Sequence, residues 1–213
     1  MKLVKFAPLL LAGFLPPAYS DQYQEAIDKA FPGYRILGPS EVGLIKEEMN
    51  QDLYNRVKDH PGLAAGKFNS DKIPDFAAII RGATKKTIPA DPASKRGATD
   101  YYDGYFVVCF GRAQGGYRCH KMDETPMRIT VPLGVFLARI PAGKQFCLVA
   151  WKFHAPRKPD PKRGFEPEVI DRKEDLWVTL QSDAIGLLLT SGGGDTVYVH
   201  QSKNIYLECV VTD

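Results

Sequence analysis

The stretch Tyr105–Lys121, YFVVCFGRAQGGYRCHK, constrains the fold of this chain more than any other. Two runs rich in Val, Phe and Tyr flank Gly111, Gly115 and Gly116, the pattern of a β-hairpin. With the turn centred on Gln114, Cys109 and Cys119 stand five residues to either side and oppose each other directly. Opposed cysteines on antiparallel strands come close enough to bridge at a non-hydrogen-bonded position. Such a bridge forms and persists in an oxidising compartment.

The N-terminus supplies the route. Residues 1–20, MKLVKFAPLLLAGFLPPAYS, carry a basic start (Lys2, Lys5), an apolar stretch from Phe6 to Leu15 and a Pro16-Pro17 break. Ala18-Tyr19-Ser20 then places small residues where a signal peptidase reads them, so cleavage is expected between Ser20 and Asp21. The apolar run is shorter than the roughly 20 residues of a membrane span. The expected destination is the periplasm, without stable membrane insertion. Removing the leader takes two lysines with it, so the formal charge of +3 falls to +1. That is no footprint for nucleic acid. A chain 44% hydrophobic and 25% charged is neither disordered nor fibrous.

Export also frames the other cysteines. Three pairings of Cys109, Cys119, Cys147 and Cys209 are possible. The hairpin favours Cys109–Cys119, leaving Cys147 in FCLVAW to pair with Cys209 in IYLECVV. The alternative to both bridges is four reduced, buried cysteines. The cysteine and histidine spacings match no structural zinc site.

The remaining signals predict an α+β fold: N-terminal helices, then a mainly antiparallel β-sheet or sandwich with two disulfides, in a single domain over residues 21–213. Asp21–Phe31 reads as an amphipathic helix with Tyr23, Ala26, Ile27 and Ala30 on one face. Ser40 is the expected N-cap of a second helix reaching Lys58, with Leu44, Leu53 and Val57 as its stripe. From Leu63 onward, short runs rich in Val, Ile, Phe, Tyr or Leu and bounded by turn residues predict strands. These cover Leu63–Phe68, Phe76–Arg81, Tyr105–Gly111, Tyr117–Met122, Phe146–Trp151, Leu176–Leu180, Ala184–Thr190, Thr196–His200 and Ile205–Val211.

Two polar stretches interrupt this β region, Gly82–Asp103 and Lys152–Glu168. Long loops in a compact domain are functional or solvated. Tyr101, Tyr102 and Asp103, with Tyr105, are candidate partner-binding residues of the first. Arg157 and Lys158, with Lys162 and Arg163, are the candidate basic rim of the second.

Gly66–Ala77, GKFNSDKIPDFA, resembles the G-D-F-N-G-D-G-x-x-D-[YF]-A segment of FG-GAP/VCBS-like secreted bacterial proteins. The resemblance implies a calcium loop, with Asn69, Asp71 and Asp75 at ligand positions. Lys67 stands where that family has its first acidic ligand, and Lys72 where it has a turn glycine. An ammonium in place of a carboxylate removes a ligand and repels the cation. The loop is therefore expected to be a metal-free turn, with the lysine charges taking the ion's role and no cofactor. Over the rest of the chain, a YRIL segment, the cysteine hairpin and the closing DAIGLLL…TVYVH…YLECVVTD run are similar to small exported bacterial proteins. Some of these, encoded beside secreted antibacterial toxins, act as periplasmic immunity proteins.

Catalytic motifs are not found. Gly38–Gly43 has the wrong spacing for a nucleophile elbow, and no HExxH, Walker loop or GxGxxG occurs. Oxidised cysteines offer no thiolate. His120 and His200 could meet across the sheet beside Asp123 or Asp195, although satisfied structural histidines fit the same pattern. Ser191–Asp195 reads first as a hairpin turn. The expectation is a non-enzymatic binding protein whose partner is a cognate secreted toxin that degrades lipid or cell wall. The alternative is a secreted hydrolase or a carbohydrate- or ligand-binding module using the same loops.

Overall fold

The unbroken apolar run Phe76–Ile80 fixes the architecture. A strand buried on both faces must lie between two layers rather than alternate core with solvent. In the computed structural model, which describes residues 19–90, 93, 97–143, 145–152, 172–190, 195–202 and 205–211, this run opens strand β3 (Asp75–Ile88). Phe76, Ala78 and Ile80 meet Tyr23 and Ile27 of helix α1 (Tyr19–Ala30) in one cluster. Ala77 and Ile79, pointing the other way, pack with Phe136, Leu137 and Ile185 of a second sheet. The layers are helix, sheet, sheet.

The first sheet runs β1 (Tyr34–Ile36), β3, β4 (Thr99–Gly111), β5 (Tyr117–Lys121). Strand β2 (Leu63–Gly66) also pairs with β3, and β6 (Met127–Ile129) with β4. The second sheet runs β7 (Val135–Ile140), β10 (Ala184–Leu189), β11 (Asp195–Ser202), β12 (Ile205–Val211), β8 (Gln145–Lys152), β9 (Arg172–Thr179). Every neighbouring pair is antiparallel. The fold is mostly antiparallel β-sheet with a few helices.

The buried contacts of α1 begin at Tyr23, beyond the expected cleavage point, so loss of the leader leaves them in place. Its buried face is narrower than expected: Tyr23 and Ile27 are buried, Ala26 is half-buried and Ala30 is exposed. The expected helix from Ser40 to Lys58 is instead broken into α2 (Pro39–Val42), a 3-10 turn (Lys46–Glu48) and α3 (Gln51–Val57). Gly38, not Ser40, caps α2, and the Glu41 side chain reaches back to the Gly38 N–H. Gly43 at φ 73° ends α2, a left-handed conformation that glycine adopts without penalty. Asn50 caps α3 by accepting from the Asp52 and Leu53 N–H groups. The apolar stripe still reaches the core through Val57, Leu44 and Leu53.

The cysteine hairpin has the expected register, with Cys109 opposite Cys119 and Phe110 opposite Arg118. The Cys109–Cys119 bridge is formed, with its Cα atoms 3.9 Å apart, and it is the one disulfide among the described residues. The second bridge expected from the sequence, Cys147–Cys209, is not seen among the described residues. Cys209 pairs in register with Ala150 on β8, three residues along from Cys147. At about 3.3 Å per residue, that offset of roughly 10 Å exceeds the reach of a disulfide.

The polar stretch Gly82–Asp103 also departs from expectation. Much of it is not a loop but the outer half of β3 and β4, with Lys85 opposite Tyr102, Lys86 opposite Tyr101 and Ile88 opposite Thr99. Polar cross-strand pairs do here what apolar alternation does elsewhere. Lys85 pairs with Asp100, Lys86 with Asp103, and the Thr87 hydroxyl donates to Asp100 at 2.7 Å. Strands β6 and β7 were not expected from the sequence.

Candidate functional site

Successive residues of a strand face opposite sides of a sheet, so Tyr101 and Tyr102 cannot share one surface. Tyr102 lies on the side of the second sheet, with the Arg81 guanidinium 3.8 Å from its ring centroid. Arg81 Nε also donates to the buried Glu41 at 2.5 Å, and Arg35 grips the same carboxylate with two nitrogens at 2.6 and 2.7 Å. Burial pushes the Glu41 carboxyl up, but the hydrogen bonds from Arg35 and Arg81 outweigh it and hold the group below its ordinary value. Tyr102 thus belongs to a structural knot that closes the sandwich edge.

Tyr101, Asp103 and Tyr105 face outward, on the side that carries α1. They form a continuous array with residues that sequence reasoning missed. Tyr34 on β1 packs against Tyr105 with centroids 5.5 Å apart, above Gly82 of β3. Burial, then the charge interaction and hydrogen bond with Tyr105, raises the Tyr34 hydroxyl above its ordinary value. Lys121 on β5 sets its ammonium 3.7 Å from the Tyr105 centroid. Arg128 on β6, opposite Asp103, lies 5.5 Å from that of Tyr101. Lys86 pairs with Asp103, which holds its ammonium above the ordinary lysine value. The tyrosines are half-buried, whereas Lys86 and Arg128 are exposed. Five strands thus present three rings, three cations and one carboxylate on one face. The signal that could have found it is parity: in Y-Y-D-G-Y, positions 101, 103 and 105 share a side. Arg157 and Lys158 lie outside the described residues.

The segment resembling a calcium loop does not suit the ion. Asp75 is fully buried, and its two oxygens accept from the Phe68 N–H at 2.8 Å and the Gly111 N–H at 2.9 Å. Burial pushes its carboxyl up to about 6. Asn69 Oδ1 accepts from the Asp71 N–H, and Asp71 Oδ1 accepts from the Ile73 N–H. Every oxygen proposed as a ligand is turned onto an internal donor. Backbone N–H groups occupy the ion's place, not the lysine charges as expected: Lys67 and Lys72 are exposed and make no ion pair among the described residues. Lys72 adopts the left-handed φ of 66° that the family's glycine would take. No group of three or more His, Cys, Asp or Glu among the described residues is arranged to hold a metal.

Beside this loop opens a cleft of about 720 Å3, lined by Lys67, Lys72, Arg139, Gln181, Ser182 and Asp183 among others. Asp183 is committed here too. It accepts from the Lys67 N–H at 2.9 Å, the Ala142 N–H at 3.0 Å and Arg139 Nε at 3.0 Å. Its role is to fasten the loop of the first sheet to the second.

His120 and His200 do come together, though from different sheets. Both pack on Phe110, with centroids 5.4 and 5.2 Å away. Burial, then Arg118 and His200, lowers His120 to about 4. Burial also lowers His200, opposed by Asp71. Both are neutral near pH 7. No helix among the described residues is long and apolar enough to cross a membrane.

Comparison with protein-family models, with curated proteins and with solved structures finds no match for this chain.

Proposed function

We propose that this chain is an exported, non-enzymatic binding protein that neutralises a secreted antibacterial toxin in the periplasm by covering the toxin's active site. The observation that carries the reading is the outward array of Tyr34, Tyr101 and Tyr105 with Lys86, Lys121 and Arg128. Tyrosine and arginine dominate the energetic centres of protein interfaces, because they offer large, rigid, amphipathic contact area. Rings already held by neighbouring cations lose little freedom on binding. The buried carboxylates Glu41, Asp75 and Asp183 accept hydrogen bonds that hold the fold together, a use that competes with general acid–base work. The leader-like residues 1–20 and the resemblance to immunity proteins support the periplasm and a lipid- or cell-wall-degrading target.

Co-purification with the product of the adjacent gene tests the reading. A complex that persists at micromolar concentration, and that Tyr101→Ala with Tyr105→Ala weakens, is the expected result. No complex at that concentration overturns it. Turnover of lipid or glycan by the isolated chain would favour a hydrolase working from the cleft.

A further inference from the structure

A cation laid on an aromatic face keeps its hydrogen-bond donors. The Lys121 ammonium and the Arg128 guanidinium rest on Tyr105 and Tyr101, yet the first retains three N–H donors and the second five. Neither makes an ion pair among the described residues. Lys85 and Lys86, a few ångströms along the same ribbon, are neutralised by Asp100 and Asp103. The face is therefore locally positive: three cations surround one carboxylate, and that carboxylate is already held by Lys86. Few cross-strand positions on β4, β5 and β6 produce this. Arg128 stands opposite Asp103, and Lys121 opposite Val107.

We infer that the Tyr34–Tyr101–Tyr105 face receives a carboxylate-dense segment of a partner protein, with Lys121 and Arg128 as its receptors. The inference rests on the binding-protein reading above and names the chemistry of that partner. Charge complementarity selects an acidic occupant, because like charge across an interface costs several kcal/mol and opposite charge steers the encounter. Two further observations select a protein over a phosphate polyanion. The chain as a whole is close to charge balance, with 28 Lys and Arg against 25 Asp and Glu, whereas nucleic acid and anionic membranes call for an extended basic stripe. The cations also alternate with tyrosine rings, which add apolar contact between the charges, as protein surfaces require. Because each ring holds its cation in place, little ordering entropy is left to lose on docking.

A short poly-L-glutamate peptide is the probe, with aromatic resonances of the full chain as the readout. Binding should shift the signals of Tyr34, Tyr101 and Tyr105 and weaken steeply as salt rises. Lys121→Met with Arg128→Met keeps an aliphatic stem over each ring but removes the charge, and should weaken binding about tenfold or more. Should that pair unfold the face, Lys121→Gln and Arg128→Gln singly give the same comparison, with unchanged melting and an intact Cys109–Cys119 bridge as controls. Unmoved tyrosine signals, equal binding by the charge-removed variants, or tighter capture of a DNA duplex or of phosphatidylglycerol vesicles would each overturn the inference. The adjacent gene's product separates the two claims. If it binds wild type and variants alike, the acidic-partner inference fails and the binding-protein reading stands. If it does not bind while polyglutamate does, the reverse holds.

Discussion

At the scale of single residues, buried polar groups decide where this molecule is rigid. Asp75 ties the Phe68 turn to the end of β4, one oxygen to each N–H. Asp75→Asn turns one of those oxygens into a donor facing a donor. The expected cost is about 1–3 kcal/mol, read from urea denaturation; an unchanged midpoint would contradict the role. Because internal N–H groups fill the positions an ion would take, adding calcium or a chelator should leave the melting temperature where it was. A calcium-dependent rise would restore the metal loop. Titration gives opposite signs at two places. His120, about 4 when folded, and His200, also lowered, bind protons more readily in the unfolded chain, so stability rises as pH climbs from about 4 to 6.5. Asp75, about 6 when folded, prefers its proton in the folded state, and its contribution falls over pH 4 to 6. Two histidines outweigh one carboxylate, so melting temperature should drop between pH 7 and pH 5. His120→Gln should shrink that drop; a drop of the same size would show that His120 does not titrate across this window.

At the scale of elements, the chain is legible where local chemistry acts alone and illegible where tertiary packing arbitrates. The Cys109–Cys119 register follows from the turn glycines and two equal flanks, and the structure reproduces it pair by pair. Reducing this bridge, or replacing both cysteines with serine, should cost roughly 2–3 kcal/mol through the freed loop. Equal stability of the oxidised and reduced chains would contradict that. The long helix expected from Ser40 failed because apolar spacing carries no information about Gly43 and Asn50 acting as terminator and cap. Strand β7, VFLARI, lacks a period-2 pattern because Phe136, Leu137 and Ala138 are all buried. The outer ribbon of β3 and β4 hid for the opposite reason. Its pairing comes from Lys–Asp and Thr–Asp contacts between segments far apart in sequence, in composition indistinguishable from a loop.

At the scale of the whole molecule, the sandwich positions the candidate face by covering only part of its first sheet. Helix α1 shields Phe76, Ala78 and Ile80, and the array of Tyr34, Tyr101, Tyr105, Lys121 and Arg128 lies on the same side. That site was half visible in the sequence. Tyr101, Asp103 and Tyr105 were candidates, but Tyr102 belonged to the Glu41 knot, and β1, β5 and β6 supplied partners that no local pattern announces. The cleft beside Lys67 and Asp183 is the competing location, and the two differ in which amides a bound partner would shield. Hydrogen exchange of the chain alone and in complex with the adjacent gene's product tests the central claim most directly. Protection confined to residues 34–36, 82–88, 99–105, 117–121 and 127–129 is the predicted result. Protection centred on residues 66–75 and 181–183, with the tyrosine face exchanging as in the free chain, would contradict it.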